Sequence, residues 1–180
     1  RRRHVAVYDL GGGTFDASVI AMGDDLHEVL ATEGVQRLGG DDFDRVLLEL
    51  AAERARVPLP TDGPELDRLL ELCREEKERF GPNTRRLTVD LGEAGTITVA
   101  TEEYEQALEP LVERSLQALD AALGRVAGRG GDDVERSTVV YQVGGASALP
   151  TVGRALRARH GRRVWRSPYP HASIAIGLAI

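Results

Sequence analysis

The chemistry of this chain is concentrated in residues 9–16, Asp-Leu-Gly-Gly-Gly-Thr-Phe-Asp. Gly11, Gly12 and Gly13 sit between two β-rich runs. Without a Cβ they let successive backbone N–H groups turn into one concavity, which suits phosphate oxygens. Thr14 adds a hydroxyl donor, and Asp9, at a strand end, carries the hard oxygens that hold Mg2+ through water. A plain hairpin would account for three glycines. The flanking aspartates and threonine favour the phosphate reading.

Two further glycine pairs fall at element junctions. Gly39-Gly40 precedes Asp41, Asp42 and Asp44, whose ordinary role is to complement the dipole of a helix start. Gly144-Gly145 follows an apolar run and precedes a helical pattern. In open α/β sheets ligands gather beyond the carboxyl ends of strands. The four histidines and one cysteine make no metal-ligand spacing, and His171 reads as a helix-start residue. No local signature of a Ser-His-Asp site is present.

The elements that must position these turns follow from periodicity. Residues 4–9, 14–21 and 26–33 read as three strands joined by short turns, an antiparallel meander. Helical spacing then predicts helices over 42–56 and 65–80, followed by short strands over 86–91 and 96–99. Thr101 is the expected N-cap of a long helix to Val126, kinked at Pro110. Residues 128–133 read as a polar loop and 137–143 as a buried strand. A helix over 148–159, a strand near Val164 and a last helix from His171 complete the order. With 39–100 set aside, that order is β-β-β-α-β-α-β-α. The expected fold is α/β, an actin-like or ribonuclease-H-like mixed sheet with flanking helices and an inserted small α+β subdomain.

Composition bounds the partners. A chain of 180 residues with 42% apolar and 29% charged residues can bury a core, built from Leu, Val, Ala and Ile because aromatics are only 4%. The net charge of -6 disfavours nucleic acid as the main ligand, and Arg1-Arg2-Arg3-His4 reads as a solvated end. No apolar run approaches the ~20 residues of a membrane span, and none follows His4 as a signal peptide would. Cys73 alone cannot form an intramolecular disulfide, which fits a cytoplasmic setting. The chain starts without Met and almost at once with a strand, so it reads as part of something longer.

Asp9-Leu-Gly-Gly-Gly-Thr-Phe-Asp16 and Leu38-Gly-Gly-Asp-Asp-Phe-Asp44 resemble two signatures of the 70-kDa heat-shock chaperones, the DnaK family. Val143-Gly144-Gly145 with Leu149-Pro150 resembles a third. The resemblance implies lobe II of a two-lobed ATPase domain, with a lower subdomain of residues 1–38 and 101–180 and an upper one of 39–100. It implies ATP or ADP with Mg2+ as cofactors. Gly11, Gly12, Gly13 and Thr14 would cradle the β- and γ-phosphates, with Asp9 in the Mg2+–water shell. Asp16 would assist in ordering water or the catalytic loop. Gly39, Gly40, Gly144 and Gly145 would approach the sugar and α-phosphate, and Lys77 would reach the ribose. The absent first lobe would bring the other phosphate loop, the catalytic lysine and much of the metal site. A peptide-binding domain would be the further partner, with exchange factors meeting residues 39–100 across a hinge near 38–40 and 100–101.

The adenosine clamp departs from that family. Family members carry a glutamate three residues before the lysine, an arginine directly after it and a serine four after it. This chain has Arg74, Glu78 and Gly81 there. The family's Gly-Gly-Ser-Thr-Arg is Gly144-Gly145-Ala146-Ser147-Ala148. Loss of two arginine stacks at ~0.5–2 kcal/mol each, plus ribose hydrogen bonds, predicts weakening of ATP binding by about two orders of magnitude or more. The alternatives are a non-catalytic interaction or regulatory module with a degenerate pocket, and a phosphotransferase of the actin-like group.

Overall fold

Alternation of buried apolar with outward-facing residues builds the first two strands, and a largely exposed third strand pairs with them. In a computed structural model of the chain, which describes residues 3–23, 26–130 and 138–167, β1 (Arg3–Leu10), β2 (Thr14–Met22) and β3 (His27–Gln36) form an antiparallel meander. Ala6, Tyr8 and Leu10 of β1 and Phe15, Ala17 and Val19 of β2 are buried. The alternate residues, among them Asp9 and Asp16, face the other side, as the two-residue period of a strand requires. β6 (Val139–Val143) joins parallel to β1, and β7 (Val164–Arg166) parallel to β6. The sheet order is β3-β2-β1-β6-β7. Three antiparallel strands followed by two parallel additions, with flanking helices, match the mixed α/β expectation.

The helices α3 (Thr101–Gly130) and α4 (Pro150–His160) cover the buried face. Ser115 Oγ of α3 spends its single proton on the Val112 carbonyl at 2.6 Å, so the Tyr8 hydroxyl of β1 donates to it, also at 2.6 Å. Arg125 of α3 pairs with Glu33 of β3. Arg159 of α4 reaches Glu113 at 3.0 Å and Asp120 at 3.5 Å on α3.

The chain divides into two compact units, Arg1–Gly39 with Leu111–Ile180, and Gly40–Pro110. The second contains α1 (Gly40–Ala55), α2 (Pro64–Glu78), the antiparallel pair β4 (Arg86–Asp90) and β5 (Thr96–Ala100), and the first turns of α3. Pro64 suits the start of α2, where its missing N–H costs nothing. Phe43, Leu47, Leu48 and Ala51 of α1 are buried, as are Leu66, Leu69 and Cys73 of α2. The Tyr104 hydroxyl donates to the Phe43 carbonyl at 3.1 Å.

Several boundaries differ from expectation for local reasons. α3 runs unbroken through Pro110 to Gly130, so the expected loop from Gly128 starts as helix and its remainder lies outside the described residues. The Thr101 hydroxyl donates to the Thr84 carbonyl at 3.3 Å, tying α3 to the turn before β4, rather than acting as the expected cap. Ala146–Ala148 form a 3-10 turn, and α4 starts at Pro150 instead of Ala148. β3 is longer than predicted, reaching Gln36. The last helix expected from His171 lies outside the described residues.

Candidate functional site

Parallel pairing of β1 with β6 sets Asp9 opposite Val143. The Gly11–Thr14 loop and the Gly144-Gly145 turn therefore leave neighbouring strand ends. Their backbones meet closely. A Cβ on Gly144 would lie 2.4 Å from the Leu10 carbonyl oxygen and 2.5 Å from Asp9 Oδ1, and Gly144 has φ +86°. A Cβ on Gly39 would lie 2.3 Å from the Gly12 carbonyl oxygen. Glycine is required at both places by contact, and at Gly144 by conformation as well. The loop closes on itself through Gly11 N–H to the Thr14 carbonyl at 3.0 Å. Gly12, Gly13 and Thr14 are exposed.

Asp9 and Asp16 are directly opposed across β1 and β2, so their side chains share one face. Asp16 in turn faces Gly34 on β3, where a Cβ would lie 3.1 Å from Asp16 Oδ1. Gly34 leaves that carboxylate its room. Burial first, and then the neighbouring Asp16 charge, push the Asp9 carboxyl above its ordinary range. A proton or cation therefore gains from binding here. Among the described residues no three His, Cys, Asp or Glu side chains gather to hold a metal. Two opposed carboxylates beside a phosphate-type loop fit Mg2+, which keeps several waters and shares phosphate oxygens rather than entering an all-protein cage.

Hydrogen bonds brace the Gly144-Gly145 turn. Ser147 Oγ donates to the Gly144 carbonyl at 2.6 Å, and Gln142 Nε2 donates to the Ser147 carbonyl. Both side chains are buried. The Gly145 carbonyl accepts from Ala148 N–H at 3.1 Å.

In the second unit, Lys77 Nζ donates to the Gly40 carbonyl at 2.7 Å and lies 2.6 Å from Asp44 Oδ1. Lys77 and Asp44 are both buried, so Lys77 is no ordinary surface lysine. Burial outweighs the attraction of Lys77 and raises the Asp44 carboxyl. Asp44 thus does more than complement the helix dipole alongside Asp41 and Asp42. Cys73, one turn before Lys77, is buried, and its thiol is pushed up to about 12, which makes it inert.

A family model described as Hsp70 protein matches residues 1–180. The chain belongs to the Hsp70 family. The mixed sheet with its flanking helices agrees with the actin-like ATPase fold of Hsp70, a family of ATP-binding heat-shock chaperones. Among the described residues no helix of this Hsp70 chain is long and apolar enough to cross a membrane.

The first unit of the Hsp70 chain brings together Asp9, Gly11, Gly12, Gly13, Thr14, Asp16, Gly39, Gly144 and Gly145, while the second brings Gly40 to Lys77. Gly34 and Gln142 escaped the sequence reading, and Asp44 and Ser147 entered it without their structural roles. Gly34 lies one residue past the strand predicted over 26–33 but inside the observed β3, where a glycine marks close approach. Gln142, Ser147 and Asp44 act through partners that only the fold supplies.

Proposed function

We propose that this Hsp70-family chain is lobe II of an ATP-driven chaperone's nucleotide-binding domain. The observation that carries it is the convergence of the Gly11–Thr14 loop, Gly39 and the Gly144 turn beside the opposed Asp9 and Asp16. In this reading Gly11, Gly12, Gly13 and Thr14 donate to the β- and γ-phosphates. Asp9 holds Mg2+ through water, and Asp16 orders the water around it. Bound Mg2+ supplies neutralising charge to the phosphates. Gly39, Gly40, Gly144 and Gly145 let the backbone approach the sugar and α-phosphate.

An ammonium has three N–H donors. Two of those on Lys77 point to Asp44 and Gly40, which leaves the third for a ribose hydroxyl. Residues 1–38 and 101–180 form the lower subdomain and 39–100 the upper, which turns as a body about 38–40 and 100–101 and meets exchange factors. The first lobe supplies the second phosphate loop and the catalytic lysine. ATP-driven movement of the lobes releases peptide from a further domain, in the cytoplasm.

Calorimetry on the full two-lobed protein with MgATP or MgADP tests this reading. Saturable binding at sub-millimolar nucleotide is expected, a binding free energy of about −4 kcal/mol or better. No binding at millimolar nucleotide would overturn it and favour a non-catalytic interaction module.

A further inference from the structure

Val140 and Gln142 of β6 share one face of the sheet, and both are buried. An apolar side chain is the ordinary occupant of such a position. Gln142 is instead an amide with one polar atom used and one idle. Its Nε2 donates to the Ser147 carbonyl, while Oε1 is buried with no hydrogen-bond partner among the described residues. A buried acceptor left without a donor lowers stability. Gly153 of α4 leaves the amide its room, since a Cβ there would lie 3.7 Å from Oε1 and 3.8 Å from Nε2. What the amide gains is a hold on the 3-10 turn Ala146–Ala148. From that turn the buried Ser147 Oγ donates to the Gly144 carbonyl at 2.6 Å. Gly144 in turn sits where a Cβ would strike the Leu10 carbonyl and Asp9. Gln142, Ser147 and Gly144 therefore act in series on the strand end that carries Asp9, all within the first unit.

Resting on the nucleotide reading above, we infer that Gln142 and Ser147 are positioning residues for the phosphate turn. They hold Gly144 and Gly145 seated against the end of β1, and Gln142 does so at the expense of stability. Both are buried and act through Gly144 rather than on the ligand.

The test is calorimetry with MgADP, paired with urea unfolding, on the full-length protein. Gln142→Met keeps the reach of the side chain and removes the idle Oε1 together with the Nε2 donor. Its urea midpoint should stay level or rise while its affinity for MgADP falls about three- to tenfold, the worth of one hydrogen bond. Ser147→Ala should weaken MgADP by a similar factor, and the double variant no more than the larger single one, because the two act in series. Ser115→Ala is the control, a buried serine of α3 that braces no glycine turn. Its midpoint should fall with MgADP affinity kept within twofold. If Gln142→Met does not fold, Ser147→Ala carries the same comparison with Ser115→Ala. Affinity within twofold of the unaltered protein in both Gln142→Met and Ser147→Ala overturns the positioning role and leaves the nucleotide reading standing. Affinity that merely follows the midpoint, in Ser115→Ala as much as in the others, overturns it too. Absence of MgADP binding by the unaltered protein at millimolar concentration overturns the nucleotide reading and this inference with it.

Discussion

Replacing Gly144 with alanine places a methyl group 2.4 Å from the Leu10 carbonyl oxygen and 2.5 Å from Asp9 Oδ1, at a backbone φ of +86°. Two penalties add. The left-handed conformation costs a non-glycine residue ~1–3 kcal/mol. Relief of the overlap, which requires the β1 end to move, costs another ~1–3 kcal/mol by analogy with overpacked cores. Gly161 isolates the first penalty. Its φ is +65°, a Cβ there meets nothing within 4 Å, and it belongs to the same unit. Gly161→Ala is therefore expected to cost about 1–3 kcal/mol and Gly144→Ala about 2–6 kcal/mol. Urea unfolding followed by the single tryptophan, Trp165 on β7, reads both. Nucleotide binding should survive in Gly161→Ala and fall in Gly144→Ala, because the added methyl displaces Asp9. Equal stability of the two variants, with binding intact in both, would refute the close-approach reasoning.

In the core beneath the sheet, Ser115→Ala strands the buried Tyr8 hydroxyl and should cost ~1–3 kcal/mol, more than the ~0.5–1.5 kcal/mol of Tyr8→Phe, in equilibrium unfolding. Lys77→Met leaves Asp44 buried without its cation and should cost about 3–5 kcal/mol at pH 7. Because burial already raises the Asp44 carboxyl, that loss should shrink as pH falls and Asp44 takes a proton, which unfolding at two pH values would show. Asp9 is likewise an acid raised in the native state, so it favours folding when protonated and less so as pH rises through its native value. Asp9→Asn should therefore raise Tm at pH 7, with the gain vanishing below the ordinary carboxylate range. A fall in Tm at pH 7 would contradict the cause assigned to the shift.

Much of the fold is legible in short-range pattern. The alternation Ala6-Tyr8-Leu10 and Phe15-Ala17-Val19 and the helical spacing of Phe43 and Leu47 report burial directly, while Leu50 in the same spacing is only half-buried. The glycine clusters are legible because few residues substitute where backbones touch, as at Gly39 and Gly144. What escaped is non-local. Asp44 and Lys77 are 33 positions apart in numbering, and nothing in either neighbourhood says that they pair. The bracing of Gly144 by Ser147 depends on a 3-10 turn, which a helical pattern beginning at Ala148 conceals. Gly34 falls just past the predicted strand end, and only the β2–β3 register places Asp16 beside it. The long helix was predicted to end at Val126, but exposed glycines do not stop a helix whose other face is packed.

The central claim is that the strand-end glycine turns of the first unit form a phosphate site. Backbone amide NMR of the full-length protein, titrated with MgADP, tests it most directly. The amides of Gly11, Gly12, Gly13, Thr14, Gly144 and Gly145 should shift furthest and saturate together, with little change at Gly161. Saturable binding that leaves those amides unmoved would contradict the claim.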